Sequence, residues 1–140
     1  MTTTAPALHV VARTRPTFYL GRPAGVDTGG PCVVEYVDDE GVERLPHVAV
    51  HSPTGFQWGY GGSGPADLAL SLLCHVLGVM PIPGTLSTTP YFERYGEAFE
   101  RAWALHQPFK WEVVARFPMD EPWTLAREQV ERFVERNSGG

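Results

Sequence analysis

The chain has 140 residues, 43% of them hydrophobic and 19% charged, with a formal net charge of −5. This profile excludes a disordered chain and fits one ordinary domain that buries its own core. The acidic balance excludes bulk attraction to phosphate backbones or anionic lipid, leaving a local patch as the one route to nucleic acid.

Residues 1–16 are Thr/Ala-rich and hold Arg13 and Arg15 with no acid before Asp27. They read as a flexible arm. It is either a frayed or edge-paired terminus or a basic arm docking on an acidic partner or phosphate through Arg13 and Arg15. One α+β domain is expected over residues 17–136, followed by a disordered tail at 137–140. Thr17–Gly21 predicts a first strand, and Arg22–Pro31 is turn-rich. Cys32–Val37 is β-branched and aromatic, and Asp38-Asp39-Glu40-Gly41 supplies hairpin chemistry into Val42–Leu45. Val48–Val50 is expected to extend the sheet. Phe56, Trp58 and Tyr60 alternate, as on a short strand approaching the Gly61–Gly64 loop.

Pro65–Leu77 predicts a helix capped by Ser63 or Gly64 and stopped at Gly78, apolar around most of its circumference and so buried. After a connector at Pro81–Thr89, Tyr91–His106 has roughly helical spacing with a weak point at Gly96. His106, before Gln107-Pro108, is expected to end that helix. Phe109–Phe117 alternates strictly and predicts a half-exposed antiparallel strand. Thr124 is expected to cap a last amphipathic helix with Ala126, Val130, Phe133 and Val134 inward. Together these elements predict an α+β fold: a mainly antiparallel sheet of four to five strands with two to three helices packed on one face.

Met1–Pro16 has no long apolar run behind a basic start, and the apolar stretch Leu68–Met80 is too short to span a bilayer. Cys32 and Cys74 are far apart and form no CxxC spacing. The expectation is reduced thiols, a cytoplasmic location and no membrane partner.

Gly59-Tyr60-Gly61-Gly62-Ser63-Gly64 matches the pattern G-x-G-x-x-G at a helix start, where free N–H groups and the positive helix end favour an anion. No βαβ unit and no acidic residue about 20 positions on accompany it, as a dinucleotide fold requires. Pro65 stands where a P-loop has its lysine. The segment is therefore either a structural turn or a pocket for a small anionic ligand. Its candidate lining is Trp58, Gly59, Tyr60, Gly61, Gly62, Ser63, Gly64 and Asp67. Asp67 also has a plain role in the first helical turn, favouring the dipole. No base is placed beside Ser63, so no catalytic residue is assigned. His47 and His51 are bracketed by Pro46 and Pro53 and make no metal spacing; His75 reads as a core histidine. No metal or cofactor is expected. The many aromatics are core anchors in the main, and any left in the open are stacking walls or hot spots for a protein partner.

The string SPTGFQWGYGGSGPADLAL at Ser52–Leu70 resembles the domain of unknown function 6166 family, small bacterial and phage proteins with a G-F-x-W-G-Y-G-G-S-G-P-A-x-L-A-L core. His106–Ala115 and Trp123-Thr124-Leu125 resemble that family's later blocks. The resemblance spans most of Thr17–Val134; it implies one domain and a mobile-element context and names no reaction. The resulting expectation is a non-catalytic interaction protein of phage or mobile-element origin that binds a host macromolecule, a host protein in the first instance. Nucleic acid enters through the arm alone. The alternative is a small-ligand, nucleotide or anion-binding domain using residues 59–67.

Overall fold

A computed structural model describes residues 16–25 and 32–138. The residues 1–15 arm, with Arg13 and Arg15, lies outside the described residues. The elements are β1 (Pro16–Arg22), β2 (Val33–Asp38), β3 (Gly41–Arg44), α1 (Ser63–Leu77), α2 (Thr89–Tyr95), α3 (Glu97–Glu112), a 3-10 turn (Val114–Arg116), β4 (Trp123–Ala126) and α4 (Arg127–Ser138).

The strands form one antiparallel sheet in the order β3-β2-β1-β4. The hairpin forms where the turn chemistry placed it: Asp38 pairs with Gly41, and the Asp38 carboxylate accepts the Glu40 N–H at 2.9 Å. Tyr19 lies opposite Tyr36 on one side and Leu125 on the other, and Gly21 opposite Val34 and Trp123. Cross-strand partners share a face, so Tyr19, Val34, Trp123 and Leu125 form the buried face on which the helices pack. The α+β architecture agrees with the expectation, with four helices where two to three were expected. The added helix comes from Gly96: at φ +54 it divides the stretch into α2 and α3.

Helix α1 is buried along Gly64–Cys74 and packs against α3; α4 crosses behind β1 and also meets α1. The N-cap of α1 is Gly62, ahead of the expected Ser63 or Gly64, both of which are already helical. Gly78 stops it as predicted, in the left-handed conformation at φ +82.

Four expectations are corrected. Val48–Val50 is no strand. The Val48 N–H donates to Ser71 Oγ at 2.9 Å and the Val50 N–H to Asp67, so this backbone is satisfied by helix side chains instead of a neighbouring strand. Phe56–Tyr60 is no strand either, because it is held by single anchors: Trp58 Nε1–H donates to the Pro118 carbonyl and Gly59 N–H to the Val114 carbonyl, both at 3.1 Å.

Phe109–Phe117 is the largest reversal. Helix α3 runs through Pro108 to Glu112, and His106 lies inside it. The buried positions Phe99, Ala102, His106 and Phe109 continue the helical stripe that packs on α1, while Trp111 points outward. That packing offsets the cost of an interior proline, about 3 kcal/mol. Finally, Thr124 belongs to β4 and does not cap α4. The cap function passes to Gln129, whose Oε1 accepts the Ala126 N–H at 2.9 Å in the manner of a capping box. Val130, Phe133 and Val134 are buried as expected. Helix α4 extends to Ser138, two residues past the predicted domain end.

Candidate functional site

The glycine segment is filled by its own protein. A Cβ on Gly59 would lie 2.7 Å from Met119 Cα, one on Gly61 2.1 Å from the Trp111 ring, one on Gly62 2.4 Å from the Tyr60 ring, and one on Gly64 2.8 Å from Gln57 Cβ. Each glycine thus permits a side chain or strand of backbone to lie against the loop. Trp111 and Tyr60 are the side chains lying against Gly61 and Gly62.

The same packing produces a surface. Trp111, Met119 and Tyr60 are 59%, 54% and 40% exposed, and all three sit against the glycine segment. The Tyr60 hydroxyl donates to Gln57 Oε1. Beneath Trp111 the buried Lys110 ammonium donates to the Gly61 carbonyl at 3.1 Å and lies 4.4 Å from the indole centre. Between this surface and β1 runs a cleft of about 290 Å³ lined by Pro23, Ala24, Cys32, Gln57, Trp58, Tyr60, Met119 and Asp120. Among the described residues it has an acid and no base in its lining.

Sequence reasoning grouped Asp67 with Ser63 and Tyr60, whereas its bonds run the other way. Its fully buried carboxylate accepts the backbone N–H groups of Val50 (3.2 Å), His51 (2.8 Å) and Ser52 (2.9 Å). His47 Nε2–H donates to it as well, at 2.8 Å. Ser71, one turn on, takes Val48 in the same way. Two polar residues four apart on an otherwise apolar buried helix were the signal available in the sequence, since buried polar groups need partners.

A second polar pair was missed. His106 Nδ1–H donates to the Trp103 carbonyl at 2.6 Å, which leaves Nε2 to accept from His51 Nε2–H at 3.0 Å. Burial pushes the His106 pKa below its ordinary value, and the adjacent His51 acts in the same direction. Among the described residues no group of three or more His, Cys, Asp or Glu is placed to hold a metal ion. Cys32 and Cys74 are free thiols, and burial raises the Cys74 pKa.

His75 occupies the core side of α1, where the Tyr19 hydroxyl meets its Nδ1 at 2.9 Å and the Tyr36 ring lies 4.5 Å away. Burial first, and then the Arg127 charge, lower its pKa from 6.5 to about 4. The folded state therefore binds fewer protons than the unfolded one across that interval. The stability is complete above pH 6.5 and is expected to fall by about 2 kcal/mol on going down to pH 4, after allowing for solvent screening. Urea titrations at pH 7 and pH 4.5 check this, and His75→Gln should remove most of its share of the difference.

Residues 21–87 match the model of a family described as "Family of unknown function (DUF6166)". Over that segment the chain is similar to this family. The DUF6166 segment runs from the end of β1 through α1 and includes the glycine loop, His47 and Asp67. The resemblance read in the blocks at His106–Ala115 and Trp123–Leu125 lies beyond it. No curated protein and no solved structure matches the chain. No helix among the described residues is long and apolar enough to cross a membrane.

Proposed function

We propose that this protein is a non-catalytic interaction factor of phage or mobile-element origin. It works in the cytoplasm and docks on a host protein through the surface built by Tyr60, Trp111 and Met119. The observation that carries the reading is Trp111. Its indole is 59% exposed, yet it is seated on Gly61 with the Lys110 ammonium against the ring. An aromatic side chain oriented in advance loses little entropy on binding, and tryptophan and tyrosine dominate protein-interface hot spots. The net charge of −5 favours a protein over a nucleic-acid partner. What supports this setting is the resemblance to a family that includes phage proteins, together with the free thiols. The Arg13/Arg15 arm is a second contact in the same reading.

Trp111→Ala should lower retention of the host protein about tenfold or more in quantitative affinity capture, with the melting temperature within about 2 °C of the parent. Equal retention by the parent, Trp111→Ala and Tyr60→Ala would overturn the reading.

A second reading rests on the cleft beside Trp58 and Tyr60, whose apolar wall suits a small ring compound. Its acidic lining and the filled glycine loop argue for a neutral or cationic occupant in preference to an anion. Native mass spectrometry of gently purified protein tests it through a bound mass of a few hundred daltons that a Gln57→Ala variant does not retain.

A further inference from the structure

We infer that His47, held by Asp67, is the polar anchor of a second ligand site, which takes a small apolar molecule carrying a hydroxyl or N–H donor. The inference is independent of the docking surface.

The site is a cleft of about 350 Å³ between the residue 47–49 segment and residues 81–86. Its volume falls within the range of small-molecule sites, about 300–1,000 Å³. Pro81, Ile82, Pro83 and Leu86 supply an apolar wall, and Tyr91 closes it from α2. The Tyr91 hydroxyl accepts the Ile82 N–H at 2.9 Å, which ties the wall to the helix. Leu86 stands at the rim, 54% exposed.

His47 contributes an imidazole to this lining. Its ring packs on Phe56, with centroids 4.4 Å apart, and its Nε2–H is committed to the buried Asp67 carboxylate. That carboxylate is itself fixed by three backbone N–H donors from residues 50–52. A carboxylate anchored in this way sets the tautomer and the orientation of the imidazole. In the neutral ring Nδ1 is then a hydrogen-bond acceptor, and no hydrogen bond to it is found among the described residues. A mainly apolar cleft holding an oriented imidazole acceptor selects a ligand with an apolar body and a donor group.

Phenol and anisole separate the two contributions, because they share a ring and differ in the donor. Titrated into 13C-methyl-labelled protein, phenol should shift the Ile82 and Leu86 methyl and His47 imidazole resonances saturably, with a Kd about fivefold or more below that of anisole. His47→Phe, which keeps a ring against Phe56, should bring the two affinities together. Leu86→Gln, at an exposed rim position that keeps the fold, should weaken both probes while leaving their ratio intact. Equal affinities in the parent protein would overturn the assignment of His47 as anchor. The absence of saturable shifts at Ile82 and Leu86 would overturn the site itself, as would shifts centred on Tyr60 and Trp111.

Discussion

Asp67→Ala is expected to destabilise the fold by about 3–5 kcal/mol, a large part of the roughly 5–15 kcal/mol that holds a domain of this kind together. The carboxylate is fully buried and receives the N–H groups of Val50, His51 and Ser52 along with His47 Nε2–H. Its removal leaves donors with no strand to receive them, because residues 48–52 belong to no sheet. Asp67→Asn keeps one oxygen and turns an amide NH2 toward donors that need an acceptor, so a smaller loss of about 2–3 kcal/mol is expected. Urea denaturation of the three proteins at pH 7 measures both values. A change below about 1 kcal/mol in the alanine variant would mean that the 48–52 segment finds other partners.

The second large effect lies in the glycine segment and separates two kinds of glycine. Gly59 has φ +88, its N–H donates to the Val114 carbonyl, and a Cβ there would meet the Met119 backbone at 2.7 Å. Gly59→Ala combines left-handed strain with a backbone collision and should cost about 2–4 kcal/mol. Gly62 has φ −95 in extended backbone, and its nearest obstacle is the edge of the exposed Tyr60 ring. Gly62→Ala should therefore cost under about 1 kcal/mol, since Tyr60 can swing outward. Thermal unfolding of the pair distinguishes a loop built by conformation from one built only by space. Similar losses at both positions would refute the distinction.

These two sites also show where sequence reading reaches its limit. Turn chemistry at Asp38–Gly41 gave the hairpin, and the all-round apolar pattern gave the burial of α1. Gly78 marked the stop of α1, and Gly96 showed as a weak point in a stretch expected to be one helix, which the structure divides into α2 and α3. Each is a local property: a backbone conformation that glycine adopts freely, or a periodicity that survives whatever the partner. The α+β class followed from the same stretches, and the match of residues 21–87 to the DUF6166 model contains the string that resembles that family.

Where two local readings competed, the tertiary structure decided. Phe109–Phe117 carries an alternation suited to a strand, and it also extends the 99–102–106–109 stripe of a helix. The second reading prevailed because α1 offers α3 a packing surface. Val48–Val50 and Phe56–Tyr60 look like strands by composition, yet β-propensity expresses itself only beside a partner strand. Their backbone N–H groups go instead to the Asp67 and Ser71 side chains and the Val114 carbonyl, and the Trp58 indole N–H goes to the Pro118 carbonyl.

The site divides in the same way. The sequence by itself determined which residues were unusual: the glycine run, Asp67 in an apolar helix, and the many aromatics. It could not determine their partners, because Trp111 reaches Gly61 and His106 reaches His51 across about 50 residues of chain. A glycine tolerates an anion, a backbone or an indole equally well, and only the packing of α3 against α1 selected the indole. A buried carboxylate likewise demands donors without naming them, and the path of residues 47–52 over α1 supplied them.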